Sequence, residues 1–230
     1  LKLRAKFLKI KDPEYFDIYA LLSEDGPAYP IDLTKQVVQE AIEPLGKDYA
    51  KKFAKATSQQ WMDVYPRDGK RGGAFMSGGF YDGHPFVFLN HQDDYNSAST
   101  YAHEWGHALH TIYTNETQSY PNSGYSIYIA EIAAIVNEVL LMENRLADAK
   151  NDQEKLYYLG QALEQIRGTF FRQTQFAQFE YEVHKMVEDG KPLSGQSISK
   201  VYGKILRDYY GHDKGVMKID EKYFTEWAFV

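Results

Sequence analysis

The sequence predicts a mainly α-helical fold: a multi-helix core that carries one small β-sheet. Three observations lead there. Stretches that read as helices cover 98–114, 126–147, 152–189 and 195–210, with stop signals at Gly190, Pro192 and Gly211. One run, Pro85-Phe86-Val87-Phe88-Leu89-Asn90, reads as a strand bounded by turn residues. At 230 residues without a cysteine, the chain can bury a real core, as one domain or two close-packed subdomains, with no disulfide framework.

The elements follow in order. Residues 1–10 alternate charge with apolar side chains and read as an amphipathic segment rather than a signal peptide. Asp32 is placed to cap a helix from Leu33 towards Glu43; Pro44 and Gly46 break it before a second stretch to about Ser58. Residues 69–83 hold six glycines among Phe75, Phe80 and Tyr81. No lysine and hydroxyl follow the last glycine, so this is not a phosphate loop. It reads as a mobile loop able to approach a peptide backbone, with Gly78 and Gly79 as candidate contacts. Phe86, Val87 and Phe88 form either an edge strand that pairs with an extended substrate or a strand that only completes the sheet.

Asn96 or Ser97 is expected to cap the next helix, and 115–124 reads as a loop. The helix over 126–147 takes Ile129, Ile132, Ala133, Val136, Val139 and Leu140 as its apolar stripe. A break near Gly168 is expected in the stretch that follows.

Residues 103–107 carry the chemistry: His103-Glu104-Trp105-Gly106-His107. Histidines four apart share one helix face, so both can reach a single ion, and imidazole nitrogen suits zinc. Glu104, beside the first of them, is placed to take a proton from a water held there. The competing reading is a solvated or core-satisfied histidine pair with an incidental glutamate. Gly106 costs a helix interior roughly 1 kcal/mol relative to alanine, so something packs closely against it, a bound peptide or a neighbouring helix.

A third ligand has to come from elsewhere. In one class of zinc protease, a histidine six residues past the second serves, after an intervening glycine; Tyr113 and His110 occupy those positions here. Glu116 lies too far along the axis. At 1.5 Å per residue, His107 stands about 10 Å before the end of its helix and Glu131 about 8 Å into the next. An antiparallel hairpin therefore sets Glu131 level with His107. Glu138, two turns on, is either an outer partner of the second nitrogen of His103 or a surface carboxylate.

His103-Glu-Trp-Gly-His-Ala-Leu-His110, with Ala-Glu-Ile-Ala-Ala-Ile-Val-Asn-Glu at 130–138, resembles the oligoendopeptidase F and thimet oligopeptidase family of zinc peptidases. The segments at 171–180, 70–75 and 85–90 are similar to the oligoendopeptidase F branch, so the likeness covers nearly the whole chain. It implies a zincin-type catalytic core with an HExxH helix and a deep channel. One Zn2+ per chain would be held by His103, His107 and Glu131, with Glu104 as general base in cutting short peptides.

The expected organisation is one catalytic domain over 1–230: a helical lead-in at 1–66, the Gly-rich loop and edge strand at 67–95, the zinc-site helix pair at 96–148 and supporting helices at 149–230. The resemblance also exposes a departure. The family's histidine and tyrosines beyond the C-terminal tryptophan have no counterpart after Trp227, and the chain reads as a catalytic-core fragment of a longer protein.

Two other activities stay open: a zinc-stabilised peptide-binding fragment without turnover, and a metallocarboxypeptidase, for which Lys70 and Arg71 are the available cations. His84, His91, His184 and His212 read as structural or solvated, and His110 as the one that lines the site. Arg172 and Glu180 read as packing and ion-pair residues, and the nineteen tyrosines suggest a channel lined with amphipathic rings. A net charge of −6, with both signs interspersed, argues against a nucleic-acid partner. No apolar run is long enough to span a membrane, and a cytoplasmic location is expected.

Overall fold

The computed structural model describes residues 1–20, 22 and 26–229. Among these it has eight α-helices: α1 (Lys2–Phe7), α2 (Ile31–Ala41), α3 (Lys47–Thr57), α4 (Tyr95–Thr117), α5 (Ile127–Ala147), α6 (Asp152–Gln165), α7 (Arg172–Glu188) and α8 (Gly195–Tyr210). The strands are β1 (Met62–Asp63), β2 (Phe75–Ser77) and β3 (Phe86–Phe88). The chain divides into two compact units, one of Asp25–Tyr158 and one of Leu1–Glu24 with Leu159–Val230.

In the first unit, α4 is the central element. Tyr101, Ala102, Trp105, Ala108 and Leu109 are fully buried along it, packed with Phe53 of α3, Val38 of α2 and Leu141 of α5. Asp94 caps α4, its side chain accepting the Ser97 N–H at 2.7 Å, so the helix starts earlier than a cap at Asn96 or Ser97 would place it. Asp94, Asn96 and Ser97 can all cap, and sequence does not rank them. The α2 helix likewise opens at Ile31 behind Pro30, and Asp32 lies inside its first turn rather than capping it.

The sheet decides between the two readings of 85–90: the run is not an edge but completes the sheet. Its order is β1-β3-β2, with β3 parallel to β1 and antiparallel to β2. Phe86–Phe88 is therefore the central strand, its backbone bonded on both sides, and Val87 is buried. The edge that borders α4 is β2, inside the Gly-rich stretch read as loop. Neither β2 nor the two-residue β1 has a local signature; long-range pairing makes both.

The face of α5 is also corrected. Ser126 caps it, its side chain accepting the Ile129 N–H. Its buried positions are Ala134, Asn137, Glu138 and Leu141, at spacings of three and four. Ile129, Ile132, Val136 and Val139, expected to face the core, are exposed at 40–47%. Small and polar side chains go inward because α4 approaches closely: a Cβ on Gly106 would meet Ala134 Cα at 2.8 Å. The neighbour that Gly106 anticipates is thus α5.

In the second unit, α7 and α8 pack with the segments Tyr15–Tyr19 and Glu221–Phe229 around Ile18, Phe179, Tyr202, Leu206 and Ile219. The break expected near Gly168 is a π-helical stretch, Ile166–Phe171, between α6 and α7. Ser194 caps α8, and Gly211 ends it in the left-handed conformation at φ 65°. Arg172 pairs with Glu226 at 2.9 Å, and that carboxylate also accepts from Tyr15 and Tyr202 at 2.9 and 3.0 Å.

Many tyrosines are core residues rather than channel lining. Tyr15, Tyr29, Tyr95, Tyr101, Tyr158, Tyr202 and Tyr210 are all buried. No helix among the described residues is long and apolar enough to cross a membrane.

Candidate metal centre

The antiparallel pair α4 and α5 builds the centre. His103 and His107 project from adjacent turns of α4, with their Nε2 atoms 3.0 Å apart. Glu131, in the second turn of α5, faces them; Oε2 lies 3.5 Å from His103 Nε2 and Oε1 3.6 Å from His107 Nε2. These three are the only group of potential ligands that converges among the described residues.

The donor set fits zinc. Two ligand atoms bound at 2.0–2.1 Å in a tetrahedron stand about 3.3 Å apart; the two nitrogens are 3.0 Å apart, and each lies within 3.6 Å of a carboxylate oxygen of Glu131. Two imidazoles and a carboxylate are also a zinc-type set. Burial and the charge of His103 lower the pKa of His107, which favours the neutral imidazole that metal binding requires.

Glu138 lies behind His103. Its Oε1 accepts from His103 Nδ1 at 2.6 Å, and its Oε2 accepts from Ser99 Oγ at 3.0 Å. Burial works against a charge on His103, yet the Glu138 hydrogen bond and the charges of Glu138, Glu104 and Glu131 lift its pKa. Because Glu138 holds Nδ1, the Nε2 atom is the one that faces Glu131.

Glu104 is only 6% exposed. Burial raises its pKa to about 7; the charge of His103 and the Met76 backbone N–H pull it down, and Glu131 and Glu138 push it up. The N–H of Met76 comes from β2, so the sheet edge reaches the carboxylate beside the histidines. Just beyond it, Gly78 crosses α4 so closely that a Cβ would stand 2.8 Å from Thr111 Cγ2.

None of the other sequence candidates joins the three donors. Glu116 pairs with Lys52. His110 packs its ring 4.2 Å from that of Tyr125. Gly79 and Phe86 border an open concavity of about 750 Å³, with Phe80, His84 and Tyr120, and none of the donors lines it. His84 stacks on Trp61 at 4.2 Å, and buried His91 bonds the Tyr29 carbonyl at 2.7 Å. The Lys70 side chain is 1% exposed and held by Asp63 at 3.1 Å and by the Tyr65 carbonyl, so it is no free anchor for a substrate carboxylate. Sequence reasoning missed the Met76 N–H and Ser99. The first has no sequence signal; the second lies four residues before His103 on the same face.

Fold and site together define a mostly helical protein with a three-donor centre on a helix hairpin. A family model for peptidase family M3 matches residues 29–227, and the chain belongs to that family. It is 36% identical over 229 residues to Oligopeptidase PepF of Bacillus subtilis (strain 168), covering 99% of this chain and 34% of that protein. Against the plasmid Oligoendopeptidase F of Lactococcus lactis subsp. cremoris it is 38% identical over 228 residues, covering 99% and 37%.

A solved structure from Chlamydophila abortus superposes with a TM-score of 0.79 at 34% identity, covering 99% of this chain and 38% of that one. The oligoendopeptidase-F of Enterococcus faecium gives 0.60 at 26%, covering 100% and 32%. The chain spans about a third of the length of these relatives. The resemblance read from the sequence holds.

Proposed function

We propose that this chain carries the zinc centre of a metalloendopeptidase acting on short peptides. His103, His107 and Glu131 would hold one zinc, Glu138 would fix the ring of His103, and Glu104 would be the general base. The observation that carries this reading is the three-donor cluster beside a buried glutamate, in a chain of family M3.

When bound, zinc supplies Lewis acidity, polarising the scissile carbonyl and bringing the pKa of a coordinated water to near 7. The remaining steps belong to the protein. Glu104 takes the proton of the attacking water and passes it to the leaving amine. Burial raises the pKa of Glu104 above the ordinary carboxylate value, which favours its uptake of the water's proton. An extended peptide would run along the outer side of β2, whose Met76 N–H meets Glu104, with Gly78 and Gly79 continuing the path.

Glu104→Gln keeps the size of the side chain and removes the proton acceptor. Zinc content should be unchanged while cleavage of an internally quenched peptide falls on the order of 10²- to 10⁴-fold. Near-normal turnover in the fully metallated variant would mean that another group is the base. Mapping the product ends by mass spectrometry separates internal cleavage from removal of a terminal residue.

A further inference from the structure

We infer that Ser99 is a positioning residue for the metal centre, acting through Glu138 on His103. The inference rests on the zinc-site reading above and adds one residue to it. Ser99 and His103 are four apart on α4, so their side chains stand on one face, one turn apart. The carboxylate of Glu138 crosses from α5 and bonds both: Oε2 accepts from Ser99 Oγ at 3.0 Å and Oε1 from His103 Nδ1 at 2.6 Å. Two adjacent turns of one helix are thereby tied to a single carboxylate of the next.

The tie has a chemical consequence. The last torsion of a glutamate is broad, so a carboxylate plane needs an external hold to keep one orientation. Ser99 is a neutral donor that grips the oxygen not used by the histidine, and this fixes the rotation that aims Oε1 at Nδ1. With Nδ1 kept as the protonated nitrogen, Nε2 is left with its lone pair towards His107 and Glu131. Glu138 is 8% exposed, so water is a poor substitute for the hydroxyl.

Changes to outer partners of a metal-bound histidine typically weaken metal binding 10- to 100-fold, and Ser99 acts one hydrogen bond further out. Ser99→Ala should therefore weaken zinc affinity about 3- to 10-fold. The experiment titrates wild type, Ser99→Ala and Ser99→Thr with zinc against a competing chelator, and follows the His103 Nδ1–H resonance by NMR. The expected result is weaker zinc binding and a shifted or exchange-broadened Nδ1–H in Ser99→Ala, with both restored in Ser99→Thr, which returns the hydroxyl.

Wild-type affinity and an unchanged Nδ1–H in Ser99→Ala would overturn the inference. So would a loss that Ser99→Thr does not restore, because a packing defect then explains it. A wild-type chain that binds no zinc would instead overturn the metal-centre reading itself, and this inference with it.

Discussion

Glu104 and Glu138 are both buried glutamates within reach of His103, yet their surroundings suit them to different tasks. Glu138 holds a ring nitrogen and a hydroxyl, so its two oxygens are both engaged. Glu104 has one backbone donor and burial enough to bring its pKa to about 7, which suits proton transfer. Replacing Glu138 with alanine should weaken zinc binding 10- to 100-fold, as loss of an outer partner does, without changing stoichiometry. Competitive chelation measures it, and an unchanged affinity would reduce Glu138 to a packing residue. At this scale part was legible in advance: helix periodicity sets His103 and His107 on one face, and an assumed antiparallel hairpin brings Glu131 level with them, while Glu138 stayed open between an outer partner and a surface carboxylate. The β2 N–H on Glu104 was not, since backbone donors leave no trace in residue type.

Among the elements, the α4–α5 pair depends on one close approach. Gly106 lets Ala134 and Asn137 pack against α4, and Asn137 in turn bonds Tyr49 at 3.0 Å. Gly106→Ala would gain roughly 1 kcal/mol in helix propensity and lose about 1–3 kcal/mol to overpacking. The atom in the way, Ala134 Cα, belongs to backbone, so α5 must move and take Glu131 with it. The expected outcome is a destabilised protein with zinc affinity down by 10-fold or more. A variant more stable than wild type, with zinc affinity intact, would show that the approach is slack.

The same approach explains the misread face of α5. Branched aliphatic residues mark the apolar stripe by composition, but at the close approach to Gly106 only small side chains fit, and the inward face of α5 is Ala134, Asn137, Glu138 and Leu141.

The sheet has its own test. Arg67 holds the Asp63 carboxyl down to about 2, with Lys70 adding to it against the effect of burial. An aspartate in the unfolded chain releases its proton near 3.8. A folded-state pKa below the unfolded one gives stabilisation that is present above 3.8 and lost as pH falls through about 2. Unfolding free energy should therefore drop over that window in wild type and less so in Asp63→Asn. The Asp63 side chain is 41% exposed, so the difference should be below about 1 kcal/mol. Parallel pH profiles for the two proteins would contradict the assignment.

For the molecule as a whole, helical class was legible because long, well-capped segments such as α8 announce themselves at both ends. The destination of the tyrosines was not: Tyr29 and Tyr158 bury their rings and bond each other at 2.5 Å, a solution that composition cannot distinguish from a lined channel. Nor did any run of glycine, proline or charge mark the two units, since α6 begins in one and ends in the other.

Two histidines of α4 and one glutamate of α5 converge as potential ligands of one ion. Zinc stoichiometry and affinity in wild type and Glu131→Ala test this convergence most directly. Wild type should bind one zinc per chain. Glu131→Ala, with one of three protein donors gone, should bind it at least about 100-fold more weakly, and Glu116→Ala, remote from the cluster, should match wild type. A Glu131→Ala protein that keeps wild-type stoichiometry and affinity would contradict the centre described here.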